Sequence, residues 1–239
     1  MELVRGGEST ESRTELDSYA DSPVVGRNVL IISDSGQTAN VTGFTKDLGK
    51  CMSIPIVTAA IAYSDEYNNK TSIIIVHNAL HIKSMEHNLV PPFMMRLAGV
   101  DVDECPKFMC RRPTIKNHAI YFHGDKWDQE DLRIPLQLHG TISYFPSRIP
   151  HRRELDDCQS YDITPNSPSW DPHREKYSSM EHRMLDHRGE ISRYHREPDR
   201  TLFIDQVKTD IVDHGVSRLS GRNLSVCAML KEVNEAIIG

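Results

Sequence analysis

Between residues 17 and 148 the chain alternates short apolar runs with clusters of turn-forming residues. The runs are Asn28 to Ser33 (NVLIIS), Ile54 to Tyr63 (IPIVTAAIAY), Ser72 to Ile82 (SIIIVHNALHI), Ala119 to Phe122 (AIYF) and Leu132 to Phe145 (LRIPLQLHGTISYF). They are rich in Ile, Val, Thr and aromatic residues, whose branched or flat side chains suit a pleated surface. Asp34-Ser-Gly36, Asp65-Glu-Tyr-Asn-Asn69 and His123-Gly-Asp125 punctuate them. This spacing predicts a mainly β, compact antiparallel or barrel-like domain. Pro135 interrupts the last run, so its segment is expected at a sheet edge or a strand start, because proline cannot donate to a ladder. Phe93 to Ala98, closed by Gly99, predicts one short helix with glycine at its C-terminal end.

From about His151 the pattern is lost. Charged residues, His, Ser and Pro dominate to Arg200, which predicts a polar linker or a segment that orders on binding. Apolar spacing returns in two amphipathic stretches, Thr201 to Val212 and Leu224 to Ile238, the latter with Val226, Leu230, Val233 and Ile237 on one face. The expected division is therefore a β domain over 1–150, a polar linker over 151–200 and a helical C-terminal segment over 201–239. The tail as a whole is expected to be poorly ordered and partly helical.

Composition narrows the function classes. Of 239 residues, 38% are hydrophobic, and the formal net charge is −6. That charge argues against non-specific nucleic-acid binding, which needs a basic surface. No run approaches the ~20 apolar residues that span a bilayer, and the polar, acidic first residues are unlike a signal peptide. Five scattered cysteines without a secretory signal predict free thiols in a reducing, cytoplasmic setting. Cys105-x4-Cys110 has no second pair. His77 and His81 lie ~13 Å apart if their run is a strand, too far for one metal. His182-x4-His187 is followed by no Cys-x2-Cys, so a four-ligand zinc site is not assembled. No metal and no organic cofactor are expected.

The candidate chemistry lies in Glu15-Leu-Asp17-Ser18-Tyr19-Ala20-Asp21-Ser22-Pro-Val-Val-Gly26. An apolar residue leads into Asp-Ser, then a small residue, a second Asp and an apolar pair ending in Gly. Peptide hydrolysis by paired carboxyls needs an Asp at a loop tip, a Ser or Thr beside it and tight backbone around the carboxylate. Asp17 and Ser18 meet the first two needs. Tyr19 stands where a glycine without Cβ would let backbone N–H groups approach. Asp-Ser is also common turn chemistry, its side-chain oxygens bonding to nearby N–H groups. A rival, Asp34-Ser35-Gly36, follows the apolar run of residues 29–33. Gln37 replaces the expected small residue there, and the triplet suits a hairpin turn. Asp34 is the runner-up catalytic residue.

The stretch around Asp17 resembles the active-site loop of retropepsin-type aspartic proteases, with their Asp-Ser/Thr-Gly-Ala run. Asn78 to Val90, including His87-Asn88-Leu89-Val90, and then Met94 to Gly99 look like the downstream half of copia-type retrotransposon proteases. A variant group of these elements carries Leu-Asp-Ser-His-Ala-Asp-Thr, already lacking the glycine. The resemblance covers residues 15 to 148 and implies a retropepsin-like closed β-barrel acting as a symmetric homodimer on polyprotein peptides. It implies Asp17 as catalytic carboxylate, Ser18 bonding across the dimer, Ala20 lining the cleft and Asp21 accepting from substrate backbone. A flap would come from Val41 to Phe44 or from Tyr63 to Thr71. Two other readings stay open: a degenerate or co-opted domain retaining the fold for binding, and a truncated fragment of a polyprotein.

Overall fold

A computed structural model describes residues 11–42, 50–124, 129–167, 175–191 and 223–225. The described chain is mainly β, and it falls into two compact units, residues 1–166 with 219–239, and residues 167–218. In the first unit the strands are β1 (Glu11–Leu16), β2 (Val24–Val25), β3 (Leu30–Thr42), β4 (Lys50–Ser64), β5 (Thr71–His81) and β6 (Asn88–Val90). Helix α1 (Pro92–Leu97) follows, then β7 (Asp101–Asp103), β8 (Ala119–Phe122), β9 (Leu132–Pro135), β10 (Gln137–His139) and β11 (Ile142–Arg148). Helix α2 (Arg152–Asp157), β12 (Ser160–Asp162) and β13 (Asn223–Ser225) complete it. The second unit holds α3 (Glu175–Arg183), after which a bridge joins Leu185 to Ile191.

The large sheet runs β10-β11-β1-β6-β2-β5-β4-β3-β13, with β12 added alongside β5 and a further contact between β11 and β4. A small sheet has the order β7-β8-β9. The long arms β3, β4 and β5 contain most of the first three expected apolar runs and extend beyond them, and Ala59, Ile61, Ile74 and Val76 put their side chains into one core with Phe145 and Tyr161. Tyr63 packs edge-on against Phe145 at 6.3 Å between ring centroids. Pro135 ends β9, the edge strand of the small sheet, as a residue without an N–H requires. In α1, Pro92 fills the first turn and Gly99 takes φ +83°. The Gly99 and Val100 N–H groups donate to the Arg96 and Met95 carbonyls, which satisfies the helix end.

Three expectations are corrected. Asp34-Ser-Gly36 is not a hairpin reversal, for β3 continues through it and the register against β4 shifts between Asp34 and Thr38. The extra residues are taken up as a bulge, with Gly36 at φ +69°. The region after residue 150 is not simply linker: β12 pairs in parallel with Ile73 to Ile75, and Tyr161 and Ile163 are core residues. The domain edge therefore lies near residue 166. Leu224, expected to open a helix, lies in β13 against β3; Thr201 to Val212 and the rest of the second stretch fall outside the described residues.

The junction between β11 and α2 carries an ion pair. Arg148 donates through both terminal nitrogens to Glu154 at 2.8 and 2.6 Å, and the His151 N–H adds a third bond at 2.8 Å. The Arg148 hydrogen bond is the main reason that the Glu154 carboxyl titrates near about 2 instead of 4.5. Because the folded form has the lower pKa, this contribution is whole above about 4.5 and fades as pH falls toward about 2. Urea midpoints of the native chain and Glu154→Gln should differ above that window and converge below it. A chain ending at residue 150 should be less stable than one ending at 166 by roughly 3–6 kcal/mol, for the lost burial of Tyr161 and Ile163. Equilibrium urea unfolding of the two measures it.

Candidate active site

Strand β6 is inserted between β1 and β2. It runs parallel to β1, pairing Thr14 with Asn88 and Leu16 with Val90, and antiparallel to β2 through Val24 and Leu89. The chain leaving β1 must therefore pass over the end of β6 to reach β2, and residues 17–23 make that crossing. Asp17 opens it, with its N–H donating to the Val90 carbonyl at 3.3 Å.

Asn88 holds the crossing together. It is wholly buried. Its Oδ1 accepts from the Gly26 N–H at 3.0 Å, and its Nδ2 donates to Thr14 Oγ1 at 3.2 Å. Thr14 Oγ1 lies 3.0 Å from Ser147 Oγ, which lies 3.3 Å from Ser12 Oγ. A buried polar seam thus runs from β6 through β1 to β11. Gly26 is required by space: a Cβ there would lie 2.4 Å from the Met85 carbonyl oxygen.

Around Asp17 is a cleft of about 500 Å³. It is lined by Leu16, Asp17, Ser18, Tyr19 and Leu89; Leu138 and Gly140 to Ser143, around the turn between β10 and β11, form one wall. Glu104, Pro106, Phe108 and Met109 form another. Asp17 Oδ1 accepts the Tyr19 N–H at 2.9 Å, while Oδ2 is buried without a hydrogen-bond partner. Such an oxygen is costly unless something completes it. The other carboxylates lining the cleft are already engaged, Glu15 with Arg13 and Glu104 with Arg96.

Tyr19 departs from the expectation that a side chain here keeps backbone away from the carboxylate. Its N–H reaches Asp17, its φ is not positive, and its ring points outward, 77% exposed. Ser18 is exposed at the cleft. Ala20, expected to line it, is buried and donates its N–H to the Asp17 carbonyl; Asp21 is half-buried and does not line the cleft.

Asp34 lies elsewhere, exposed on β3, its Oδ1 accepting the Gly36 N–H at 2.8 Å. Of the two flap candidates, Tyr63 to Thr71 is the wrong end of the sheet. Its strands meet Arg148, which pairs with Ala62 and with Glu11, at the start of β1, whereas Asp17 follows the other end. Val41 and Thr42 end β3 on an arm that extends past the last β4–β5 pair, Ile56 with Leu80; Gly43 and Phe44 fall outside the described residues.

Ser143 and His118 carry no motif in the sequence, yet Ser143 lines the cleft and its hydroxyl lies 3.0 Å from His118 Nε2. Burial, aided by Lys107, holds the His118 pKa below the usual imidazole value. His77 is a packing residue, paired with Asp162 of β12 at 2.9 Å. No family model, curated protein or solved structure matches the chain. Among the described residues, no helix is long and apolar enough to cross a membrane.

Asn88→Ala should cost about 1–3 kcal/mol, since it strands the buried Gly26 N–H. The urea midpoint checks it, and Asn88→Asp should also destabilise, since it buries a carboxylate in place of the amide that donates to Thr14.

Proposed function

We propose that this chain is an aspartic endopeptidase domain of a copia-type retrotransposon polyprotein, a retropepsin-like closed β-barrel that works as a homodimer. The observation that carries the reading is Asp17 lining a cleft, with one carboxylate oxygen fixed by backbone and the other buried and unpartnered. The Arg148–Ala62 pair, which brings β11 to β4, favours closure of the barrel. The order of elements agrees with the resemblance: Asp-Ser loop, long hairpin arm, apolar strand, His-Asn-Leu strand, helix ending in glycine.

The chemistry requires two carboxyls sharing one proton, so that one activates water while the other polarises the scissile carbonyl. Glu15 and Glu104 are paired with arginines, and in this reading the partner acid would be Asp17 of a second copy, met across a two-fold axis. Ser18, exposed beside Asp17, would bond across that axis. Among the described residues β10 is an end strand of the large sheet, and an extended peptide would add beside it. The apolar lining from Leu138, Ile142, Phe108 and Met109 suits hydrophobic substrate side chains. Such a domain would act in the cytoplasm on its own polyprotein.

One observation favours the non-catalytic alternative. Asp34, Asp65, Asp103 and Asp186 each accept the N–H two residues on, at 2.8–2.9 Å, as Asp17 does, so this backbone contact by itself is local chain geometry and no mark of catalysis. Purified chain should cleave peptides spanning its own sequence at acid pH, with inhibition by pepstatin. Asp17→Asn should reduce the rate by roughly 10²–10⁴-fold and Asp34→Asn should leave it unchanged. A folded, monomeric chain without cleavage would favour the binding domain, and loss only in Asp34→Asn would move the site to β3.

A further inference from the structure

The wall of the cleft that contains Phe108 and Met109 is bracketed by two thiols. Cys105 and Cys110 are both free, and their sulfurs lie 3.4 Å apart. Between them, residues Lys107–Met109 form a single 3-10 turn. The Met109 N–H donates to the Pro106 carbonyl at 2.9 Å and the Cys110 N–H to the Lys107 carbonyl at 3.2 Å, so the backbone is already curled. A disulfide needs its sulfurs at about 2.05 Å, so the two side chains must approach further to bond. Cys105 is exposed and Cys110 half-buried, whereas Cys51 is buried.

We propose that Cys105 and Cys110 are a thiol-modification site, oxidised by small-molecule disulfides of the glutathione class to an intramolecular disulfide that clamps the cleft wall. Cys105, the more exposed sulfur, attacks as thiolate: its bond to one glutathione sulfur forms as the glutathione S–S bond breaks, and the first glutathione leaves as thiolate. Cys110 then gives its proton to solvent and attacks the Cys105 sulfur, which expels the second glutathione. Two protein thiols are oxidised to one disulfide, and one glutathione disulfide is reduced to two thiols. The order follows from the geometry. The Cys110 S–H donates to Cys105, and that bond, with burial, holds the Cys110 thiol above its usual range. It therefore enters second, once Cys105 no longer offers a thiolate. Among the described residues no group of three His, Cys, Asp or Glu joins to hold a metal.

The clamp bears on the cleft because Phe108 and Met109, 76% and 67% exposed, sit on the segment that it closes. It does not depend on proteolysis, so its failure and the failure of Asp17 as a catalytic residue read out separately. The full chain is equilibrated with a mixture of reduced and oxidised glutathione, acid-quenched and digested with trypsin without reductant. Trypsin cuts after Arg96, Lys107 and Arg111, so residues 97–107 and 108–111 should appear as one disulfide-linked pair that dithiothreitol separates. In Cys110→Ser, Cys105 should be left carrying a stable glutathione adduct. Separate adducts on both cysteines of the native chain, pairing of either with Cys51, Cys158 or Cys227, or both thiols left reduced under oxidised glutathione would overturn the assignment. Loss of the adduct in Cys110→Ser would overturn the order of attack.

Discussion

The structure depends on a three-residue strand threaded between two others. With β6 lying between β1 and β2, residues 17–23 have only one route, over its end, and Asp17 is fixed where that route begins. What holds the arrangement is a set of polar contacts in the interior: Asn88 to Gly26 and Thr14, then Thr14 to Ser147 and Ser12. Each of these groups is satisfied by another, which makes the burial tolerable and ties three strands in one register. An apolar seam would pack without specifying which residue faces which. Hydrogen-bonded side chains do specify it, and a one-residue slip of β1 would turn Thr14 away from Asn88.

The same constraint explains how the loop tolerates a bulky residue. The carboxylate needs backbone N–H groups near it, and a glycine supplies them when the turn demands positive φ. Here the turn closes in an ordinary conformation, and the Tyr19 side chain is directed into solvent while its N–H still reaches Asp17. Two open features are left behind along the cleft, the buried Asp17 Oδ2 without a hydrogen-bond partner and the exposed Tyr19 ring. Long-range pairing supplies the rest of the cleft. Its second wall is the β10–β11 turn, brought beside Asp17 because β11 pairs with β1 across more than 130 residues of sequence.

Hydrophobic patterning revealed the parts of the fold held by hydrophobic contact. β8, β9 and β10 fall within the expected runs, β3, β4, β5 and β11 overlap them and extend beyond, and α1 was marked by Gly99 at its C-terminal end. β1 was invisible to that signal because its buried residues include Ser12 and Thr14, satisfied by partners far away in the chain. β6 is three residues long, too short for any period. β12 was hidden in a charged stretch whose described part buries only two apolar side chains with a period, Tyr161 and Ile163, beside the polar Thr164 and Ser167. The candidate carboxylate was legible as Asp17 from its local sequence, but the cleft was not. Glu104, Phe108, Ile142 and Ser143 share no motif and meet Asp17 only through sheet order. Tyr19 misled because a sequence gives the residue type without the φ that it adopts.

The amide of Gly26 reports most directly on this account, since its hydrogen bond to the buried Asn88 side chain closes the crossing that positions Asp17. Native-state hydrogen exchange, followed residue by residue, should place it among the slowest amides of the β domain, opening only with global unfolding. Exchange at the rate of an unprotected peptide, while the β4 and β5 amides stay protected, would contradict the account and leave Asp17 on an unsupported loop.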